Sequence, residues 1–314
     1  MNLIKIRTVK GDIEKKNLGW CHCHDHIFLA DGPSAQINSA LRLDDYKKSE
    51  SEVFLFKKAG GNSFIDCQPG FFGRMAKSLV RVSKKTKINI VAVTGFHKLE
   101  FLEDKTLFEN AAIDKLSQHF IDEIEKGMFE KEERLNNKAG VIKCAQAAGL
   151  DWKCKAYLKL FDAVANCAKE TIAPVIVHLD TDADAIGLVE FFINKGIEPK
   201  KLILCHLDRA KYDFGYHEEV ASTGAYLEYD TINRLKYHSN KKEIELIDHM
   251  IEAGYKNNIL LGMDTTNKRL KSYGADFGQD YILTDFKYQM MKQGIDEKTI
   301  NIIMKDNAAE ALAF

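Results

Sequence analysis

The sequence predicts a single α/β domain over residues 1–314, a (β/α)8 TIM barrel, and three observations predict it. Short apolar runs alternate with amphipathic stretches along the whole chain, the pattern of parallel strands joined by helical crossovers. There are eight such runs, apolar throughout rather than alternating, as strands covered on both faces are. No G-x-G-x-x-G or Walker loop follows the first run, where an open nucleotide-binding sheet would carry one.

In order, the strand-like runs are 18–26, 62–67, 88–94, 140–144, 174–178, 202–206, 225–229 and 259–264. Between them, 46–59, 72–85, 108–126, 155–169, 184–195 and 241–253 space apolar residues three and four apart and read as helices facing the sheet. The segment 101–137, rich in Glu and Lys, reads as a long solvated helix and a loop leading into the fourth strand, with no assigned function. A length of 314 residues suits such a barrel, about 250 residues plus insertions.

Composition narrows the class. Apolar residues at 45% and charged residues at 29% are those of a chain with ample core, and a net charge of -1 points to neither nucleic acid nor a membrane surface. No run approaches the roughly 20 apolar residues of a membrane span, and the first seven residues lack the apolar stretch of a signal peptide, so a cytoplasmic protein is expected. The seven cysteines are odd in number, and Cys21, Cys23, Cys67, Cys144 and Cys205 fall in predicted strands, which suits buried thiols and no disulfide framework. Cys21-His22-Cys23-His24 is no zinc knuckle, because strand alternation splits its ligands between two faces and no second pair follows.

The ends of the strands carry the chemistry. Their last polar residues are His26, Asp66, Thr94, Lys143, His178, His206, Asp230 and Asp264. Active sites of such barrels sit at that rim, and burying these groups costs several kcal/mol unless they are paired or bind metal. His24, His26, Lys143, His178, His206 and Asp264 are therefore candidate ligands, a set suited to zinc or another divalent first-row ion such as manganese or cobalt. Lysine is the odd member. An amine freed of its proton by desolvation and nearby cations can take up carbon dioxide, and the resulting carbamate can bridge two ions. With Asp264 and a shared hydroxide it leaves the pair a residual positive charge, which favours hydroxide near neutral pH.

Over essentially the whole chain the sequence resembles the phosphotriesterase-related branch of the amidohydrolase superfamily. The matching pieces are Thr8-Val9-Lys10-Gly11 with Leu18-Gly19, His24-Asp25-His26 where the family usually reads His-Glu-His, Val91-Ala92-Val93-Thr94-Gly95, Ala139-Gly140-Val141-Ile142-Lys143, Val177-His178, Cys205-His206 and Leu260-Leu261-Gly262-Met263-Asp264. The resemblance implies a barrel of the amidohydrolase type with two divalent ions. His24, His26 and Asp264 would hold the buried ion, His178 and His206 the more exposed one, and N6-carboxylated Lys143 would bridge them. Asp264 would also be the general base, and a homodimer is expected on the same ground.

Departures narrow the activity. Organophosphate hydrolases resemble one another in a His after the Asp of strand seven and a second acid behind the metal-bound Asp. Here those places read Asp230-Thr231 and Asp208-Arg209, so that relay is missing. The mouth is basic, with His97-Lys98 after strand three, Arg209 after strand six, Arg234-Leu235-Lys236-Tyr237 after strand seven and Lys268 to Tyr273 after strand eight. Such groups suit a phosphate or carboxylate. The last two segments resemble those of sugar lactonases that open phosphorylated aldonolactones, which implies a small anionic sugar lactone as substrate, attacked by a metal-bridging hydroxide. His97, Lys98, Arg234, Lys236, Arg269 and Tyr273 are the expected substrate contacts, with His97 or Lys98 also near the oxyanion.

The remaining polar residues read as structural. His119, His217, His238 and His249 are packing or surface residues, His22 faces the barrel interior below the ligands, and Asp25 points outward. Asp208 is expected on a ligand imidazole, and Asp66 on backbone donors. Other activities compete: simple lactonase or promiscuous phosphotriesterase chemistry within the same family, a Schiff-base aldolase using Lys143, which leaves the histidines without a role, and a barrel that binds metal without turnover.

Overall fold

A computed structural model describes residues 4–102 and 104–314; Met1 to Leu3, part of the N-terminal stretch read above, and Glu103, within the 101–137 segment, lie outside the described residues. The barrel strands are β1 Cys21–Asp25, β2 Ser63–Asp66, β3 Asn89–Gly95, β4 Val141–Gln146, β5 Val175–Leu179, β6 Leu202–Cys205, β7 Tyr226–Tyr229 and β8 Ile259–Leu261, all parallel and in sequence order. Closure comes from two backbone bonds: the amides of Met263 and Asp264 donate to the His24 carbonyl at 3.2 and 3.1 Å. Gly262 permits this approach, since a methyl group there would lie 2.7 Å from the His24 Cβ.

Helices α1 Tyr46–Lys58, α2 Ala76–Thr86, α3 Ile113–Glu125, α4 Lys155–Thr171, α5 Ala185–Asn194, α6 Phe214–Ser222 and α7 Asn240–Glu252 cover the outside, and further helical turns follow β8. Asp45, Asp184, Asp213 and Ser239 cap α1, α5, α6 and α7 by accepting from backbone amides of their first turns. One apolar layer joins strands to helices; a second, inside the barrel, includes Ile65, Val91, Val141, Ile176, Ile203 and Leu260. A two-strand hairpin, Lys5–Thr8 with Gly11–Glu14, lies near the end of the chain, where Lys5 and Phe314 exchange backbone bonds. Among the described residues no helix is long and apolar enough to cross a membrane, and all seven cysteines are free.

The structure corrects three expectations. The stretch around 101–137 is not one solvated helix: it holds a short helix, Thr106–Asn110, then α3 and a small hairpin, Phe129–Glu130 with Glu133–Arg134. α3 buries Leu116, Phe120, Ile121 and Ile124, and its Glu123 forms a buried ion pair with Arg74, with Arg74 Nη1 to Glu123 Oε2 at 3.0 Å. That stripe is the apolar face of the amphipathic stretch 108–126, so the helix packs on the barrel rather than standing in solvent. His22 faces outward, because the register between β1 and β2 shifts between His22 and Asp25. Its ring stacks on Phe64 at 5.3 Å and meets Phe56 of α1, while Cys21 and Cys23 line the interior. Asp208 does not touch a ligand imidazole; it accepts from the amide of Thr231 at 2.7 Å and from its hydroxyl.

Candidate metal centre and substrate cavity

A cavity of about 270 Å³ opens at the C-terminal ends of the strands. His24 and His26 reach it from β1 and just beyond, Lys143 from β4, His178 from β5, and His206 and Asp264 from the turns after β6 and β8. All six predicted ligands therefore line one space. His206 and Asp264 sit there in the left-handed backbone region, with φ of 67° and 43°. Such a conformation is uncommon for residues other than glycine and collects at functional sites. Gly95, φ 101°, lies against the same wall: a methyl group on it would run into the Lys143 carbonyl.

Two groups form. His24, His26 and Asp264 bring ligand atoms within 4.8 Å of one another; His26 Nε2 lies 3.4 Å and His24 Nε2 3.9 Å from Asp264 Oδ1. Beside them His206 Nε2 faces His178 Nδ1 at 2.8 Å. Lys143 is fully buried, its Nζ donating to the Cys67 carbonyl at 2.7 Å. His24 Nε2 is buried without a partner, an arrangement that costs free energy unless a Lewis acid takes the lone pair. Burial, with His206 and Lys143 adding repulsion, holds the His24 imidazole well below its ordinary range, and burial with His206 does the same to His178. Burial followed by Arg209 keeps His206 low as well. Neutral imidazoles beside an ionised carboxylate are the donors a borderline divalent ion takes, so the residues fit such a metal.

Behind the imidazoles stand carboxylates. Glu228 Oε2 lies 2.7 Å from His24 Nδ1, and Asp230 Oδ1 lies 2.6 Å from His206 Nδ1, while Asp230 Oδ2 accepts from the His206 amide at 3.0 Å. His178 Nε2 is 3.1 Å from Asp180 Oδ1. Asp180 also meets Lys98 at 3.1 Å. Burial opposes ionisation of Asp180, but His178 and Lys98 outweigh it and hold the carboxyl far below its ordinary value.

The sequence reading missed Glu228. Strand alternation offers the signal, since Tyr226, Glu228 and Asp230 share the inward phase, and a glutamate there departs from the apolar lining. A further buried group, Asp208, His238 and Glu243, lies behind β6 and β7; His238 Nε2 is within 3.0 Å of the Thr231 hydroxyl and 3.1 Å of Glu243.

Of the expected substrate contacts, His97, Lys98 and Arg234 line the cavity, with Arg209 beside them. Arg209 and Arg234 both donate to Asp264 Oδ2, the former at 2.9 Å. Burial alone would raise Asp264, but Arg234, His26 and the neighbouring cations more than offset it and keep the carboxyl well below its ordinary value. Lys236, Arg269 and Tyr273 stand outside the lining. Lys236 is exposed over the Tyr237 ring, and the Tyr273 hydroxyl is 3.1 Å from Ser49 Oγ. Arg269 is turned into the protein, donating to the carbonyls of Met263 and Ile232 at 2.6 and 2.7 Å and of Asp264 at 3.0 Å. Burial lowers its guanidinium to about 10.

Comparison with known proteins agrees with this architecture. A phospho-furanose lactonase of Mycoplasmopsis synoviae is 26% identical, over 98% of this chain and 91% of that protein. An uncharacterised protein of Mycoplasma pneumoniae is 30% identical over 98% and 92%. Among solved structures, a lactonase from Listeria monocytogenes superposes with a TM-score of 0.89 at 28% identity, over 98% of both chains. An amidohydrolase from Mycoplasma synoviae gives a TM-score of 0.93 at 27% identity, over 100% of this chain and 93% of that one. Residues 4–312 match the phosphotriesterase family, and the chain belongs to it.

Proposed function

We propose that the chain is a metal-dependent lactonase that opens a small anionic lactone, a phosphorylated aldonolactone in the first instance. Lys143 would be carboxylated at Nζ, and the ions would be zinc, or manganese or cobalt. The observation that carries this reading is one cavity whose lining holds His24, His26, Lys143, His178, His206 and Asp264 at its floor and Lys98, Arg209 and Arg234 along its wall. Relatives named as lactonases support the lactone.

Two divalent ions held by the histidines, Asp264 and the Lys143 carbamate would supply Lewis acidity and make nearby water more acidic. Asp264, kept ionised by its guanidinium neighbours, would take a proton from the attacking water and pass it to the ring oxygen as the lactone C–O bond breaks. His97, held well below its ordinary range chiefly by burial, lines the cavity beside His178 and would stand neutral as a candidate donor to the developing oxyanion. Lys98, Arg209 and Arg234 would hold the anionic end of the substrate, and orientation bought from that remote group would align the carbonyl. Leu29, Ile37, Leu41 and Phe101 close the rim with apolar surface.

The test is a panel of aldonolactones with and without a terminal phosphate, alongside simple lactones and phosphotriesters, run on metal-reconstituted protein with bicarbonate. Acid release from the phosphorylated lactones above all others is expected, together with two tightly held ions per chain. No hydrolysis of any lactone by protein holding both ions would sink the catalytic reading, and preference for phosphotriesters would sink the lactone.

A further inference from the structure

Inside the barrel, among apolar side chains and thiols, β7 and the residue just past it place two acidic side chains, Glu228 and Asp230, on successive inward positions. Each ends against the Nδ1 of a different imidazole: Glu228 at 2.7 Å from His24, and Asp230 at 2.6 Å from His206. His24 gathers with His26 and Asp264, and His206 faces His178, while ligand atoms of His24 and His206 also lie within 4.8 Å of one another. Asp230 is spread over three donors, its second oxygen taking the His206 amide at 3.0 Å and standing 3.5 Å from His24. Glu228 has one. Its Oε1 is buried without a partner, so its single polar contact is His24.

An imidazole whose Nδ1–H is held by a carboxylate has its tautomer and ring plane fixed, with the Nε2 lone pair directed away from the acceptor. In His24 that lone pair is the buried Nε2 that meets no other group. We propose that Glu228 is a positioning residue that fixes His24 as the Nδ1-protonated tautomer and thereby governs the ion held by His24, His26 and Asp264 more strongly than the ion held by His178 and His206. The proposal rests on the metal reading above. It gives a physical reason for an acidic side chain beneath the site, where the barrel lining is otherwise apolar.

The experiment compares wild type, Glu228→Leu and Glu228→Gln by metal titration, thermal unfolding of the chelated proteins and the imidazole N–H signals of the zinc-loaded proteins. Wild type should take up two ions tightly. Glu228→Leu should keep one and bind the other about 10- to 100-fold more weakly. It should also lose one downfield N–H signal. Glu228→Gln, whose amide oxygen still accepts from Nδ1–H, should restore both the second ion and the signal. Two tight ions and an unchanged signal in Glu228→Leu would overturn the proposal, as would equal weakening of both ions that Glu228→Gln does not restore, which marks a general structural role. Wild-type protein that takes up no ion would overturn the metal reading itself.

Discussion

Gly262 lies against His24 so closely that a Cβ on the glycine would stand 2.7 Å from the histidine's Cβ and 2.9 Å from its backbone nitrogen and oxygen. This contact is where the last strand meets the first, and one of its partners is a candidate metal ligand. Gly262→Ala should therefore cost about 1–3 kcal/mol, the usual range for overpacking, and displace His24 at the same time. Urea unfolding and metal titration on one preparation check this. Loss of stability with unchanged metal affinity would show that the seam and the site are mechanically separate.

Lys143 is fully buried with its Nζ on a backbone carbonyl, and it lines the cavity together with five histidines. If its carbamate joins two ions, Lys143→Ala should lose tight binding of both and reduce turnover on the order of a thousandfold. Wild-type protein grown with labelled bicarbonate should show a carbamate carbon signal that the variant lacks. Retention of metal and activity in Lys143→Ala would exclude the bridge.

Arg234 and Arg269 carry the same charge but differ in what they touch. Arg234 lines the cavity, whereas Arg269 ties down the carbonyls of Ile232, Met263 and Asp264. Arg234→Met should raise KM for anionic lactones about 10- to 100-fold, with a smaller effect on neutral ones through Asp264. Arg269→Met should instead lower stability by about 3 kcal/mol and slow all substrates alike. Steady-state kinetics on paired neutral and anionic lactones, with thermal unfolding, separates the two.

Glu123 gives a pH-dependent prediction away from the cavity. Burial would raise its carboxyl, but the bidentate Arg74 outweighs this and the value is lowered below the ordinary 4.5. A depressed carboxyl contributes stability that is fully present above the unfolded value and is lost as pH falls through the folded one. Glu123→Gln leaves Arg74 buried without its counter-ion and should cost about 3–5 kcal/mol at neutral pH. The difference from wild type should narrow under acid conditions, as denaturant unfolding across pH would record. A gap independent of pH would assign the cost to packing.

The barrel was legible because short apolar runs alternate with amphipathic stretches, and polar residues at or near the strand ends supplied six candidate ligands, all of which line one cavity. What failed depended on information that alternation does not contain. His22 was placed inside because a bulge that shifts the phase of one strand leaves no compositional trace. Glu228 was passed over because it lies within a strand, where attention to strand ends does not look. Lys236, Arg269 and Tyr273 were grouped with the mouth because residues on one loop point in different directions, and a guanidinium can face a carbonyl as readily as a solvent-filled space. Arg209 was noted as part of a basic rim, yet its pairing with Asp264 is a contact between residues 55 apart in sequence.

His206 and Asp264 hold positive φ at the two corners where the strands give way to the cavity. Side chains branched at Cβ are poorly accommodated there, and asparagine, aspartate, histidine and glycine are the residues best suited to such a backbone. Exchange of donor atoms at these corners is consequently narrow. A change of metal preference in descendants of this sequence, or in a laboratory lineage, should arise at positions 24, 26, 143 and 178, where the main chain imposes no such restriction, before it arises at 206 or 264.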